Sequence, residues 1–217
     1  MGTVAGIDEA GRGCIIGPLV VAGLSLEEKE EEKLRSIGVR DSKLLSPARR
    51  EVLASQILAI TGKHSYFELS PRSIDAVVIR KQRLRSLNYL EAMAMAKIIR
   101  DLEPDVVYLD PSDVLPERFS DQILKVLKKK IKIVSEHNAD ERYPVVSAAS
   151  ILAKVRRDRL VSELKEKYGD FGSGYCHDER TITFLTNLIR SGSTLPEIVR
   201  RSWKTLKNIE GFCDSSP

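Results

Sequence analysis

Val4-Ala5-Gly6-Ile7-Asp8-Glu9-Ala10-Gly11-Arg12-Gly13 is the stretch whose reading decides the fold. Val4, Ala5 and Ile7 form the short apolar run of a buried strand, and the run ends on two adjacent carboxylates. Gly11 and Gly13 flank Arg12, so positive φ is open to the chain on both sides of the arginine and a ligand can approach the main chain closely. Carboxylates attract divalent metal, while backbone amides and a guanidinium attract phosphate or hydroxyl oxygens. Acids and approachable backbone on one loop point to chemistry on a phosphate. Neighbouring strand residues face opposite sides, however, so Asp8 and Glu9 can share metal only if the strand breaks or twists by Glu9.

Working outward, Gly17 to Leu24 reads as a second strand joined by a tight connection, and His64 to Leu69 as a third. The charged segment Glu27 to Arg35 reads as a solvated helix face. Ser46 followed by Pro47 is an N-cap and N1 pair that opens a helix through about Ile60, with Lys43 on the loop before it. Leu84, Leu87, Leu90, Ala94 and Ile98 recur at helical spacing along Arg83 to Arg100. Val106 to Asp110 is a compact apolar run that again closes on an acid, the position where open α/β sheets place their ligands. A helix over Pro116 to Leu127 and a strand over Ile131 to Ser135 follow. Asp140 then introduces a helix over Val145 to Tyr168, with Pro144 at its start and Gly169 past its end. Ser147, Ala148, Ala149 and Ala153 make that helix small-sided in its first half, so it can lie close against the sheet carrying Asp8 and Asp110. Past Gly169, Asp170 to Tyr175 is a glycine-rich link, and Asp178 to Arg190 and Pro196 to Lys207 read as short helices. The expected organisation is a catalytic α/β unit over residues 1–169, a helical appendage over 170–209 and a frayed tail over 210–217.

Charged residues make up 30% and hydrophobic ones 42% of the 217 residues, which suits one sizeable core and is too apolar for disorder. The net charge of +4 permits a nucleic-acid partner without demanding one, because 35 basic residues stand against 31 acidic ones. Three scattered cysteines make neither a disulfide framework nor a zinc site, and a reducing compartment fits them. There is no secretory leader pattern and no run of about 18 apolar residues. A cytoplasmic protein without membrane contact is expected, and a monomer.

Asp8, Glu9, Asp110 and Asp140 all stand at expected strand or helix termini, and gathered carboxylates repel unless cations sit among them. Magnesium or manganese would relieve that, and a pair of such ions offers a route to phosphodiester cleavage. The Walker, zincin and nucleophile-elbow signatures are absent, and His64, His137 and His177 are isolated. Lys43, on the loop before a helix, is either plain surface charge or a phosphate contact.

These residues meet a known family. The chain resembles the type 2 ribonucleases H (RNase HII) through Gly6 to Gly13, Asp41-Ser42-Lys43, Tyr108-Leu109-Asp110, His137-Asn138-Ala139-Asp140, Ser147 to Lys154 and Phe171-Gly172-Ser173-Gly174-Tyr175, in family order. The resemblance implies an RNase H-like α/β fold, a mixed central sheet flanked by helices, with a small C-terminal helical segment. It implies endonucleolytic cleavage of RNA in RNA/DNA hybrids and at ribonucleotides embedded in duplex DNA, with Mg²⁺ or Mn²⁺. It makes Asp8, Glu9, Asp110 and Asp140 the metal-binding catalytic acids, and Gly11, Arg12, Gly13 and Tyr175 the reader of the ribose 2′-OH. Lys43, Ser150 and Lys154 become phosphate or site-supporting contacts. The alternatives are a Mg-dependent phosphatase, prompted by Asp110-Pro111-Ser112-Asp113, and a non-catalytic hybrid-binding module.

Overall fold

The opening stretch is a strand, β1 (Thr3–Ala10), and its two-residue period sends Val4, Gly6, Asp8 and Ala10 to one face and Ala5, Ile7 and Glu9 to the other. It lies at the centre of a sheet completed by β2 (Leu19–Glu27), β3 (Lys63–Leu69), β4 (Val106–Leu109) and β5 (Lys132–Ser135). The computed structural model describes residues 2–39, 45–79 and 86–209. In it the strand order is β3-β2-β1-β4-β5. β1 pairs antiparallel with β2 and parallel with β4, β2 and β3 are antiparallel, and β4 and β5 are parallel. All of β2 except Glu27 is buried, as both of its faces are covered.

The described helices are α1 (Glu31–Ser36), α2 (Pro47–Ile60), α3 (Pro71–Val78), α4 (Leu87–Leu102), α5 (Pro116–Leu127), α6 (Ala139–Arg142), α7 (Pro144–Tyr168), α8 (Glu179–Arg190) and α9 (Lys204–Lys207). Their starts are written locally. Ser46, Ser70, Ser86 and Asp178 cap α2, α3, α4 and α8 by accepting main-chain amides, and Pro144 opens α7. Leu53 and Ile57 of α2 and Val146, Ala149 and Leu152 of α7 are buried; the α2 and α7 side chains meet Val4, Ala22 and Leu24 of the sheet on one face. Met95, Ile98 and Ile99 of α4 and Phe119 and Ile123 of α5 cover Ala5, Ile7 and Val21 on the other. A third cluster joins Ile15 and Ile16, between β1 and β2, to Val161, Phe171, Leu185, Ile198, Val199 and Leu206. No helix of the described residues is long and apolar enough to cross a membrane.

The sheet is mixed and covered on both faces, as the family resemblance implies. Two local expectations are corrected, and the condition set for Glu9 is not met. β1 does not break at Glu9: it stays paired through Ala10, opposite Val20. Residues 27–35 are not one helix, since β2 runs to Glu27 and a 3₁₀ turn, Glu28–Glu30, precedes α1. Pro196 to Lys207 is not a helix either. Val199 bridges Ile16, the Arg200 amide donates to Ile15 O at 2.8 Å, and only the four residues of α9 are helical. Tertiary pairing there outweighs helical preference. α3 is an addition, a Ser-Pro start hidden behind a short segment. Lys43, with Asp41 and Ser42, lies outside the described residues, as do Arg83, Leu84 and the expected tail from residue 210.

Small residues let α7 touch the sheet main chain to main chain. A Cβ placed on Gly6 would sit 2.1 Å from the Val145 carbonyl carbon and oxygen, where only backbone could yield. Gly6→Ala should therefore cost about 3 kcal/mol, the upper end of overpacking, and lower the thermal midpoint by about 6–12 °C. Circular dichroism melts of the two proteins check this; equal midpoints would contradict the close approach.

Candidate active site

The parallel strands β1 and β4 and their neighbour β5 end at one edge of the sheet, and the acids collect there. Asp8 lies near the end of β1, Asp110 directly follows β4, and Asp140 sits in α6, beyond β5. Tyr108 and Tyr143 stack with ring centroids 4.4 Å apart, which ties β4 to the α6–α7 junction, and Asp140 is buried. Asp8 accepts hydrogen bonds from the Ser150 hydroxyl of α7 and from the Glu9 amide, the latter at 2.8 Å. Burial raises its pKa, and the charges of Asp110 and Asp140 raise it further, so that despite both hydrogen bonds it is pushed up to about 7. Asp8, Asp110 and Asp140 thus share one patch of space and one electrostatic field.

Glu9 stands on the opposite face, against α4. Its Oε1 accepts from the Ser112 hydroxyl, and burial, then the carboxylates of Glu91 and Asp8, raise its pKa well above the usual range. Glu91 is fully buried on α4 and is paired with the Arg12 guanidinium, which also donates to Asn88 Oδ1 at 2.8 Å. Asn88 Nδ2 reaches Asp113 at 2.8 Å, and Asp113 is gripped by Arg118. Arg12 is consequently engaged inside the protein. Its guanidinium is turned to the α4 side chains Glu91 and Asn88.

Of the two loop glycines only Gly11 takes positive φ, at 87°; Gly13 does not. A Cβ on Gly11 would lie 2.8 Å from Pro18 O and 3.0 Å from Arg157 Nε, whereas Gly13 has nothing within 4 Å and is exposed. Tyr175 joins this loop. Cys14 and Tyr175 form a bridge, and the amides of Ile15 and Ile16 donate to Gly174 O at 2.8 and 3.1 Å. Arg157 stacks 4.8 Å from the Tyr175 ring centroid, and Lys154 Nζ lies 5.7 Å from it while donating to Asp158 at 3.0 Å. Burial, then neighbouring Cys14, pushes the Tyr175 hydroxyl up to about 12, so it remains a neutral donor at any working pH. One helix therefore reaches both groups: α7 sets Ser150 on Asp8 and Lys154 and Arg157 on Tyr175.

Glu91, Arg157 and Arg200 are structural members of this edge that a search for acids and glycines passes over. Glu91 and Arg157 had a signal, each being a charge in the buried stripe of its helix. Arg200 had none. His137 Nε2 lies 3.3 Å from Val114 O.

Hard oxygen donors, a carboxyl raised by its neighbours and a buried Glu9 Oε2 without a hydrogen-bond partner suit a divalent cation. Among the described residues no three carboxylates or imidazoles stand at the spacing of a complete protein shell. The donor set fits ions that take the rest of their ligands from water and phosphate.

The sequence matches the family profile described as Ribonuclease HII over residues 5–206. It is similar to the ribonuclease HII of Methanosarcina mazei, with 46% identity over 215 residues, covering 95% of this chain and 96% of that one. The solved ribonuclease H2 from Pyrococcus horikoshii OT3 superposes with a TM-score of 0.87 at 44% identity, covering 96% of this chain and 97% of that one. The ribonuclease in the PCNA:RNase HII complex from Archaeoglobus fulgidus gives 0.84 at 46% identity, covering 93% and 95%.

Asp113, 2% exposed, accepts from Arg118, from Asn88 and from the Leu115 amide at 3.0 Å, and these bonds overcome burial to bring its pKa down to about 2. A depressed folded pKa adds stability that is present above the unfolded value and lost as pH falls through the folded one. Asp113 should supply on the order of 2 kcal/mol above about pH 4, gone near pH 2. Urea titrations from pH 5 to pH 2 should show a shallower decline in Asp113→Asn than in the unaltered protein.

Proposed function

The chain belongs to the ribonuclease HII family and is an endonuclease of the ribonuclease H type, and from that premise we propose that it hydrolyses the RNA strand of RNA/DNA hybrids and cuts at ribonucleotides embedded in duplex DNA, using two Mg²⁺ or Mn²⁺ ions. The observation that carries this reading is the convergence, along α7, of the Asp8, Asp110 and Asp140 cluster with the Gly11–Gly13 loop and Tyr175.

Asp8, Asp110 and Asp140 would hold the ions, with Glu9 adding negative charge beside them from the α4 face. When bound, the ions supply Lewis acidity that eases deprotonation of water and neutralises charge on the phosphate. Ser150 orients Asp8 by hydrogen bonding, so its carboxylate is aimed before substrate arrives. The exposed main chain at Gly13 meets the 2′-OH, the one group that separates RNA from DNA at a given position. Tyr175 stacks on the adjacent sugar and presents a neutral hydroxyl. Lys154 places positive charge beside that ring for a phosphate. A phosphatase reading is not favoured, because Asp113, the second acid of Asp110-Pro111-Ser112-Asp113, is buried on Arg118 and Asn88.

Asp110→Asn should lower hybrid cleavage in magnesium by at least about a hundredfold, roughly 2.7 kcal/mol at the transition state, while hybrid affinity changes little. A labelled hybrid assayed with magnesium and with chelator measures this, and undiminished turnover would sink the assignment of the acids. Tyr175→Ala should cut cleavage at a single embedded ribonucleotide about tenfold or more, as loss of ring stacking implies, whereas Tyr175→Phe keeps most of it. Equal rates for both variants and the unaltered protein would remove Tyr175 from the site.

A further inference from the structure

Two guanidiniums lie buried under the Gly11–Gly13 loop: Arg157 is 1% exposed and Arg200 fully buried. Arg200 forms no ion pair among the described residues. It donates only to main-chain carbonyls, from Nη1 to Arg12 O at 2.7 Å, from Nη2 to Gly11 O at 2.7 Å, and from Nε and Nη2 to Gly17 O at 3.1 and 3.0 Å. Burial brings its pKa down to about 10, which still leaves it charged at neutral pH. Enclosing a cation without a carboxylate is costly, and an apolar side chain of similar volume packed beside Trp203 would serve stability as well. The placement calls for a different purpose.

The peptide group supplies one. It is planar and trans, so its C=O and N–H point in opposite directions. Turning the Gly11 carbonyl inward turns the Arg12 amide outward, and turning the Arg12 carbonyl inward turns the Gly13 amide outward. Among the described residues neither amide has an acceptor, and Gly13 opens to solvent. We propose that Arg200 is a positioning residue for ribonucleotide recognition, fixing the Arg12 and Gly13 amides as a preformed donor pair for the 2′ oxygen. Arg157 complements it from the other side: it donates to Cys14 Sγ at 2.9 Å and Ser173 O at 2.7 Å and stacks on Tyr175, so ring and amides are held in one frame. A guanidinium is required because one rigid plane of donors must reach three separate carbonyls, which an ammonium cannot do.

The inference rests on the loop being the 2′-OH reader, and the test separates the two. Backbone ¹⁵N relaxation of the ligand-free protein should give order parameters near 0.85 at Arg12 and Gly13, falling below about 0.6 in Arg200→Met. Fluorescence anisotropy in calcium then compares affinity for a duplex with one ribonucleotide against the same all-DNA duplex. That preference should shrink about tenfold in Arg200→Met, about threefold in Arg200→Lys, and affinity for all-DNA duplex should hold within twofold. A folded Arg200→Met with an ordered loop and an unchanged preference would overturn the role of Arg200. Should the methionine variant not fold, Arg200→Lys decides: wild-type order and preference in it overturn the role equally. An unaltered protein that shows no preference for the ribonucleotide overturns the reader assignment itself, and with it this inference.

Discussion

The contact of α7 with β1 is the constraint on which the rest depends. At Gly6 the helix and strand meet with no side chain between them, and Ala148, Ala149 and Ser147 keep the helix low along its first two turns. Protein interiors are packed to crystal density, so a helix seated this closely has little freedom to slide or roll. That fixes everything further along it. Ser150 arrives at Asp8, Lys154 and Arg157 arrive at Tyr175, and Val161 arrives at the cluster that holds the C-terminal residues in place. Two chemical groups from opposite ends of the chain become parts of one edge because one rigid rod spans them.

The same edge concentrates charge at an energetic cost. Asp8 sits with Asp110 and Asp140, Glu9 with Glu91, and Arg157 near Arg200. Only some of this is offset internally: Arg12 neutralises Glu91, Ser150 and the Glu9 amide support Asp8, and loop carbonyls solvate Arg200. A fold built for stability alone would not assemble like charges in this way, since each buried ion forfeits hydration. Such departures from local consistency concentrate where a site is prepared for something absent from the chain itself. Negative charge is gathered where cations would bind, and positive charge lies beneath the backbone that would face a sugar hydroxyl.

Much of the fold was legible before any coordinates. Serine, proline and aspartate caps located α2, α7 and α8, and compact apolar runs ending on acids located β1 and β4. The failures share a cause. Pro196 to Lys207 carries helical composition, but Val199 is claimed by Ile16 and Arg200 by the loop carbonyls, partners nearly the whole chain away. Glu9 could share metal with Asp8 only if the strand broke or twisted there, yet its pairing with Val21 keeps it in register and on the α4 face. Arg12 stands between two glycines in the sequence, and only the fold shows that Glu91 and Asn88 on α4 take up its donors.

What the sequence by itself determined is the set of periodicities, caps and chemistries: which residues alternate, where helices start, and that carboxylates, a glycine loop and an aromatic residue exist to be used. Only the tertiary structure decided which acids meet, that Glu9 faces away from Asp8, and that two arginines lie beneath the loop rather than on the surface. The physical reason is range. Caps and periodicity are contacts within a few residues, so their partners are written beside them. A buried charge chooses its partners across the sheet and between layers, where sequence distance carries no information and only packing brings donor to acceptor.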